Sequence, residues 1–341
     1  MLALVKTQAG PGNIELKEMP DPSPGPGEVL IEIKACGICG TDMHIYHGTI
    51  DCAIPVIMGH ELSGVVVELG EGVKSVKTGA RVTSETHAHL CGHCRFCMSG
   101  YPRYCVERKM VGRHGNGGFA KYYVTREERL TVLPDNVSFA AGAVTEPLFT
   151  VTHALYERAS VASGDVVVIM GPGPMGLLSA QVAKALGGIV VVCGLNADRK
   201  RLDLAKSMGV DAAVNIQQED VAGVVGELSM GYGADVVAEC SGAAPAMELG
   251  LQLLRKCGKM VQIGLTGKPV NYNTDIIVNK GLEVIGTVGT TFTAKQRALN
   301  FLSRGLVNTE AVISDILPLK EWEMGFAKMD RKEGLKIVLK P

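Results

Sequence analysis

The segment from residue 166 to 186 constrains the fold of this chain more than any other. The apolar run Val166 to Met170 is followed at once by Gly171-Pro-Gly-Pro-Met-Gly176 and then by an apolar helical stretch. A strand, a G-x-G-x-x-G turn and a helix in this order are typical of a dinucleotide-binding βαβ unit, because the helix N-terminus stabilises the phosphate charge. The alternative is a purely structural glycine-rich turn. The residues expected to contact the pyrophosphate are Gly171, Gly173, Pro174, Met175 and Gly176.

Strand and helix patterns alternate around this turn, which predicts a parallel, doubly wound α/β (Rossmann) sheet. The strand candidates are 166–170, 189–193, 235–239, 259–263 and 282–286, and the helix candidates are 174–186, 198–208, 218–229 and 243–255. The preceding part of the chain is instead a series of short strands and turns, with strands expected at 29–34, 61–69 and 119–124. We therefore predict a mainly β domain over 1–150 and a dinucleotide-binding domain over 151–289. The tail, 290–341, contains a predicted helix (294–303) and strand (335–340) and is expected to return to the first domain.

The overall composition argues against several classes of protein. The 34 basic and 35 acidic residues are well mixed and leave a net charge of −1, so the chain shows no basic footprint for nucleic acid or an anionic membrane. The most apolar segment, 166–183, carries prolines and glycines that suit a buried strand and helix better than a membrane span. Ten cysteines in a chain without a signal-peptide pattern favour metal or redox roles, and a cytoplasmic location is expected.

A first group of possible metal ligands lies near the N-terminus. The sequence Cys39-Gly-Thr-Asp-Met-His44 is followed by Gly-His60-Glu61, which offers a thiolate, an imidazole and a carboxylate. A mixed set of this kind is typical of catalytic zinc sites, which keep one position open for water or substrate. Thr41 and His44 are placed to conduct a proton away from an alcohol held there. The alternative is a buried cysteine beside two surface histidines.

A second group is formed by four cysteines in a short loop. Cys91, Cys94, Cys97 and Cys105 have the spacing C-x2-C-x2-C-x7-C, which suits a structural, tetrahedral zinc ion. An iron–sulfur cluster is the main alternative, but ferredoxin-type runs continue with x3-C-P, and here the fourth cysteine comes four residues later and is followed by valine. The neighbouring His87, His89 and His93 are expected to be surface loop residues.

The choice of dinucleotide depends on the end of the second strand of the Rossmann unit. Gly194 stands where an NAD-specific site normally has an acid for the ribose hydroxyls, and Asn196, Arg199 and Lys200 follow. The absent carboxylate and the basic residues favour NADP, because they remove repulsion against a 2′-phosphate and can pair with it. Asp198 could still turn inward and restore a preference for NAD, and the basic residues could simply be a solvated helix turn.

With these motifs in order, the whole chain resembles the zinc-dependent medium-chain alcohol dehydrogenases. The sequence Gly59-His-Glu-x2-Gly64-x5-Gly70-x2-Val73 fits the zinc signature of that family throughout. Residues 39–46 are similar to the threonine dehydrogenase branch, whereas Thr145-Glu-Pro-Leu148 and the ending at 334–340 look like the polyol (sorbitol-type) branch. The resemblance implies a mainly β GroES-like catalytic domain, with a four-cysteine zinc lobe, joined to the Rossmann domain.

The resemblance also implies residue roles and a reaction. It implies that Cys39 and His60 bind a catalytic zinc ion, with Glu61 and Glu146 as direct, exchanging or water-bridged ligands, and that Asp42 orients His60. With the cysteine lobe this makes two zinc ions per chain. The reaction implied is hydride transfer between a secondary alcohol or polyol and NAD(P), giving a ketone or ketose, in a homodimer or homotetramer.

Three other functions remain as alternatives. The first is a threonine-type 3-dehydrogenase, the second a non-catalytic dinucleotide sensor, and the third a zinc-binding nucleic-acid module, which the balanced charge opposes.

Overall fold

The computed structural model describes residues 1–341, and the chain forms two compact units. The first comprises Met1–Glu146 with Thr309–Pro341, and the second comprises Pro147–Asn308. The return to the first unit therefore begins later than the expected position 290. The reason is that helix α10 (Phe292–Ser303) packs within the second unit, where its N-cap Thr291 donates a hydrogen bond of 2.7 Å to Glu157.

The first unit is mainly β, as predicted. Its strands are β1 (Leu2–Lys6), β2 (Ile14–Glu18), β3 (Glu28–Gly37), β4 (Val56–Ile57), β5 (Glu61–Leu69), β6 (Arg81–Ser84), β7 (His87–His89), β8 (Lys109–Met110), β9 (Tyr122–Arg126), β10 (Leu130–Val132), β17 (Ile313–Pro318) and β18 (Lys336–Lys340). Its helices are α1 (Gly40–Tyr46), α2 (Arg95–Met98), α3 (Phe139–Ala143) and α11 (Trp322–Asp330), and α4 (Thr145–Thr152) contains the division between the units.

The main sheet of the first unit joins both ends of the chain. Its strand order is β10-β6-β5-β3-β18-β17, with β9 also paired to β3. The terminal strand β18 pairs antiparallel with the end of β3, where Val338 lies opposite Gly37. The core beneath this sheet is built from apolar side chains of both segments, including Ile31, Ile38, Phe119, Phe326 and Leu339.

The second unit is a parallel α/β sheet, which confirms the predicted fold class. Its strands are β11 (Val166–Met170), β12 (Ile189–Gly194), β13 (Ala212–Asn215), β14 (Ala234–Glu239), β15 (Leu254–Gln262) and β16 (Glu283–Gly286). Its other helices are α5 (Pro174–Ala185), α6 (Arg199–Ser207), α7 (Val221–Leu228), α8 (Ala244–Leu253) and α9 (Asp275–Lys280). Every residue of β11 is buried, as expected for a strand covered on both faces.

The strand order of this sheet, β13-β12-β11-β14-β15-β16, reverses direction between β11 and β14. In open α/β sheets a ligand binds at such a reversal, outside the carboxyl ends of the strands. The dinucleotide crevice is therefore expected beside the loops that follow β11 and β14.

The predicted elements of the second unit all have counterparts, and the differences are at their ends. The helix predicted at 243–255 ends at Leu253, because Leu254 already pairs with Ala234 in the sheet.

In the first unit, the strand predicted at 119–124 begins at Tyr122, because Phe119 and Ala120 pair with β1 instead. In the second unit, β13 and α9 were not predicted, and in the first unit the helices α1, α2, α3, α4 and α11 and the strand β17 were not predicted. No helix has the length and apolarity needed to cross a membrane.

Candidate active site

Cys39, His60 and Glu61 come together in the first unit. Cys39 is the N-cap of α1, and His60 and Glu61 stand at the start of β5. One ligand atom from each residue lies within 4.8 Å of the other two. His60 and Glu61 are 4% and 1% exposed, whereas Cys39 is half-buried. Solvent can therefore reach the group at the Cys39 thiol, while the other two side chains are covered by protein. Sulfur, nitrogen and oxygen donors at this spacing suit a zinc ion with an open position.

The Glu61 carboxylate has one paired and one unpaired oxygen. Its Oε1 atom accepts a hydrogen bond of 2.7 Å from Lys336 Nζ on β18. Its Oε2 atom is buried and has no hydrogen-bond partner. Gly37 leaves the room for it, since a Cβ at that position would collide with Oε2. A buried carboxylate oxygen without a partner is costly, and a divalent cation would satisfy it, so these residues fit the zinc ion implied by the sequence.

Asp42 connects the two segments that carry Cys39 and His60. It is fully buried, and its carboxylate accepts hydrogen bonds from the backbone N–H of Cys39 (2.8 Å) and of Gly59 (3.3 Å). Its Oδ1 atom is 3.8 Å from His60 Nδ1, which is an electrostatic contact and too long for a hydrogen bond. Asp42 therefore fixes the backbone on both sides of the site as well as facing the imidazole.

The charges around His60 are predominantly negative. Burial lowers the pKa of His60, but the charges of Cys39 and Asp42 outweigh that effect and raise the pKa to about 10. Burial raises the pKa of Glu146 to about 6, a shift that nearby His60 opposes and Glu61 reinforces. Glu146 lies at the start of α4, and its carboxylate stays outside the closely spaced group of Cys39, His60 and Glu61. An excess of negative charge at neutral pH favours binding of a dication.

The two residues expected to conduct a proton lie on helix α1. The Thr41 hydroxyl is 3.9 Å from Cys39 Sγ, next to the candidate metal ligands. The His44 side chain is exposed, and its Nδ1 atom is 2.9 Å from the Thr49 hydroxyl. The Nε2 atom of His47 instead lies 2.7 Å from Oδ1 of Asp330, within hydrogen-bonding distance. Of these two histidines, His44 contacts a hydroxyl group and His47 contacts a carboxylate.

The four cysteines predicted to bind the second metal are also brought together, with ligand atoms within 4.8 Å of one another. The sulfurs of Cys94 and Cys97 are 3.6 Å apart, and those of Cys91 and Cys105 are 3.5 Å apart. These separations are far longer than a disulfide bond and close to the roughly 3.8 Å expected between thiolates around tetrahedral zinc. Backbone hydrogen bonds lower the pKa of Cys94 to about 6 and also lower the pKa of Cys105, which favours the thiolate form of these two, whereas burial raises the pKa of Cys91 and of Cys97.

The turn that is predicted to bind the pyrophosphate has the geometry that its glycines predict. Gly171 has φ of +95°, and Gly173 is the N-cap of α5, with Pro174 at the first helical position. A Cβ at Gly176 would collide with the carbonyl oxygen of Gly171, so the third glycine allows the helix to approach the strand. Met175 follows Pro174 in the first turn of α5.

At the end of β12, Gly194 is buried and the residues after it form a short polar turn. The Asp198 carboxylate already has partners within the chain. It accepts a hydrogen bond of 3.1 Å from Leu195 N–H and pairs with Arg201 at 3.4 Å. Asn196 is held by Gln217, which accepts its backbone N–H at 2.8 Å. Arg199 and Lys200 are exposed at the start of α6.

Comparisons with known proteins identify the family. Residues 25–135 match the family model described as alcohol dehydrogenase GroES-like domain, and residues 174–304 match zinc-binding dehydrogenase. The chain is 44% identical to a sorbitol dehydrogenase of Halalkalibacterium halodurans over 100% of this chain and 99% of that protein. It belongs to the zinc-dependent alcohol dehydrogenase family.

Two further matches place the chain within this dehydrogenase family. The chain is 36% identical to an L-threonine 3-dehydrogenase of Bacillus velezensis, covering 100% of this chain and 99% of the relative. A zinc-binding dehydrogenase from Sinorhizobium meliloti 1021, solved with NADP, superposes with a TM-score of 0.91 at 30% identity, covering 100% of this chain and 99% of that one. The predicted family, fold class and reaction class are confirmed: the protein is a zinc-type alcohol or polyol dehydrogenase, an oxidoreductase.

Two contacts in the first unit of this dehydrogenase were not indicated by any sequence motif. Lys336, the partner of Glu61, is one of two lysines at the ends of the terminal strand, and nothing in the sequence distinguished it from Lys340. His87, expected at the surface, is 8% exposed and accepts a hydrogen bond of 2.9 Å from Arg108 Nε. The Arg108 guanidinium also donates to the Thr86 hydroxyl at 3.1 Å. His87 is buried because this contact joins β7 to the end of the cysteine loop; His89 and His93 are exposed, as expected.

Proposed function

We propose that this dehydrogenase oxidises a secondary hydroxyl group of a polyol to a ketone and transfers the hydride to NAD(P). One observation carries the proposal: a closely spaced sulfur, nitrogen and oxygen donor set in which the buried Oε2 atom of Glu61 lacks any partner. The full-length similarity to a sorbitol dehydrogenase supports a polyol substrate.

Cys39 and His60 would hold the catalytic zinc ion, and Glu61 is the acid best placed to join them. Glu146 would act on the same ion at longer range, as an exchanging or water-bridged ligand. The zinc ion, when bound, supplies Lewis acidity that lowers the pKa of a coordinated alcohol. Asp42 would keep Cys39 and His60 in register through its two backbone hydrogen bonds.

Thr41 and His44 would remove the proton of the alcohol. The Thr41 hydroxyl can accept and donate at once, and it lies on the same helix as His44, whose exposed ring can exchange the proton with water. A positioned acid–base group of this kind typically contributes about 10²–10⁴-fold to the rate.

The cysteine lobe would bind the second, structural zinc ion through Cys91, Cys94, Cys97 and Cys105. The lobe has little apolar core of its own, because Phe96, Met98, Tyr104 and Val106 are exposed. A metal ion in such a segment supplies folding free energy that burial does not.

The cofactor would bind at the turn 171–176, with NADP preferred over NAD. Gly194 presents no carboxylate to a 2′-phosphate, and Asp198 is engaged with Leu195 and Arg201. Arg199 and Lys200 are exposed and can pair with the phosphate, while Asn196 can donate from its amide. Comparing kcat/KM for the two cofactors tests this preference, and a strong preference for NAD would reject it.

The second candidate is a threonine-type 3-dehydrogenase, which residues 39–46 and the similarity to an L-threonine 3-dehydrogenase favour. The test is a panel of sugar alcohols, vicinal diols and L-threonine with each cofactor, monitored at the absorbance of the reduced nicotinamide. Turnover of a sugar alcohol with a kcat/KM well above that of L-threonine supports the polyol assignment, and the reverse order supports the alternative.

The protein would act as a homo-oligomer in a reducing, cytoplasmic setting. Strand β16 is an edge strand with Val284 at 44% exposure, and Val278 and Val288 nearby are also exposed. An uncovered apolar edge of this kind invites pairing with a second copy. None of the ten cysteines forms a disulfide, and the use of cysteines as metal ligands suits a reducing compartment.

A further inference from the structure

Glu239, a residue with no role in the chemistry above, is a buried acid at the point where the Rossmann sheet reverses. It is the last residue of β14, is 0% exposed, and lies opposite Met170, the last residue of β11. A charged side chain at this depth is rare unless it is fully paired. Its position is notable because the ligand crevice of such a sheet opens beside the ends of these two strands.

Both oxygens of Glu239 are occupied by the chain itself. Oε1 accepts from the backbone N–H and hydroxyl of Ser241 and from the N–H of Gly242, at 2.9 Å and 3.1 Å for the two backbone bonds. Oε2 accepts from Gly242 N–H at 3.0 Å and from Gln262 Nε2 at 2.7 Å. With its acceptor sites filled, this carboxylate has no free lone pair for a ribose hydroxyl.

These hydrogen bonds join two loops. The first loop, 240–243, follows β14, and the second, 263–265, follows β15. Gln262 bridges them, because its amide also donates to the carbonyl of Gly264 at 2.7 Å. The backbone carbonyl of Glu239 accepts the N–H groups of Ile263 and Gly264, both at 2.9 Å. One residue therefore holds both loops by its side chain and its main chain.

The first loop is in turn packed against the phosphate-binding turn. A Cβ added to Gly171 would lie only 2.8 Å from the Cβ of Ser241, so the two backbones are as close as a glycine permits. Ser241 also accepts the N–H of Ala243 at 3.1 Å, at the N-cap of α8. A shift of Ser241 would therefore alter the space beside Gly171.

We propose that Glu239 is a positioning residue for the nicotinamide cofactor: its buried carboxylate holds the loops after β14 and β15 against the Gly171 turn in the shape that binds the dinucleotide. This inference rests on the proposed use of the turn 171–176 by NAD(P). A glutamine in place of Glu239 would turn one acceptor into a donor facing Ser241, Gly242 or Gln262 and release the loops.

Asp235 provides a matched control on the same strand. It stands at the other end of β14, where its carboxylate accepts Val166 N–H at 2.8 Å and Arg255 Nε at 2.5 Å. Asp235→Asn also replaces a partly buried, hydrogen-bonded acid by its amide, but at the amino ends of the strands, away from the crevice. If Glu239 had a purely structural role, both variants would lower the stability and leave the cofactor Kd unchanged.

The experiment is fluorescence titration of NADH and NADPH into the wild-type enzyme, Glu239→Gln and Asp235→Asn, together with thermal unfolding. Glu239→Gln is expected to raise the cofactor Kd about tenfold, the factor that follows if only a tenth of the molecules retain the binding shape. The cofactor KM should rise similarly, while kcat at saturating cofactor changes less than about twofold. The reason is that the variant weakens cofactor binding equally in the ground state and in the transition state. Asp235→Asn is expected to lower the melting temperature without changing the cofactor Kd.

Gln262→Met provides a second test that leaves Glu239 in place and breaks the bridge to Gly264. It is expected to raise the cofactor Kd in the same direction, and it decides the question if Glu239→Gln fails to fold. An unchanged cofactor Kd in both folded variants, with stability reduced as in Asp235→Asn, would overturn the inference. If instead the wild-type enzyme binds neither NADH nor NADPH, the proposed cofactor site itself is wrong.

Discussion

Lys336, on the last strand of the chain, forms a buried ion pair with Glu61, which follows His60 and begins β5. The Nζ–Oε1 distance is 2.7 Å across 275 positions of sequence, and the two side chains are 7% and 1% exposed. Burial lowers the pKa of Lys336, but the charges of Glu61 and Cys39 outweigh that effect and raise it. The C-terminal segment is therefore part of the candidate metal site.

Replacing Lys336 by Met should strongly destabilise the first unit. In the metal-free protein, removing one partner leaves the other charge buried and uncompensated, which typically costs about 3–5 kcal/mol. Denaturant unfolding followed by the fluorescence of Trp322, the single tryptophan, reports on this unit because Trp322 belongs to its core. Lys340→Met, on the same strand but exposed, is the control, and Glu61→Gln should restore most of the loss in the double variant. Equal stability of the Lys336 and Lys340 variants would contradict the role given to the pair.

Replacing His44 by Ala should slow turnover more at low pH than at high pH. The reason is that hydroxide can take over the proton transfer when it is abundant. His47→Ala is the control, because His47 contacts Asp330 and is not a relay residue, so its replacement should leave the shape of the pH profile unchanged. The measurement is the pH profile of kcat for both variants. A loss in His44→Ala that is independent of pH would exclude a proton relay through this residue.

Replacing Cys97 by Ser should open the cysteine lobe to proteolysis. The lobe contains Arg95 and Arg103, and without its metal it has too little buried apolar surface to stay folded. We expect trypsin to cut at these arginines in the variant and leave the wild type and the exposed Cys257→Ser control intact. Mass spectrometry of the fragments identifies the cleavage sites. Identical digestion of all three proteins would show that metal binding does not order the lobe.

Asp315 and Lys328 should contribute a stability that depends on pH. The hydrogen bond from Lys328 lowers the pKa of Asp315 below its ordinary value of 3.8, so the charged form is favoured in the folded state. The stabilisation is present above the unfolded value and is lost as pH falls through the folded value. Asp315→Asn should cost about 1 kcal/mol or less at pH 7, and this difference should shrink below pH 3.8. A difference that stays constant from pH 7 to pH 3 would rule out the ion pair as its source.

The sequence was sufficient for the parts of this protein that are encoded locally. The turn 171–176 and the cysteine loop 91–105 each lie within a short stretch, so their spacing alone limits the geometry. The bounds of the buried strands β11 and β12 were predicted to within one residue. A short continuous apolar run such as 166–170, followed by a glycine-rich turn, is typical of a buried parallel strand.

The parts that could not be predicted depend on contacts between distant segments. The pairing of Lys336 with Glu61 requires β18 to lie beside β3, and no local pattern specifies that neighbour. The short strand β13 has only four residues and no strong alternation, so tertiary pairing with β12 decides its conformation. Burial of His87 likewise depends on Arg108, which lies beyond the cysteine loop.

The proposed catalytic centre at Cys39 is tested most directly by counting metal ions. Metal analysis of active wild-type enzyme and of Cys39→Ser, with Cys257→Ser as an exposed control, separates this site from the cysteine lobe. The account predicts two zinc ions per chain in the wild type and the control, and one zinc ion with no turnover but an intact fold in Cys39→Ser. A single ion in the active wild type, retained in a fully active Cys39→Ser enzyme, would contradict it.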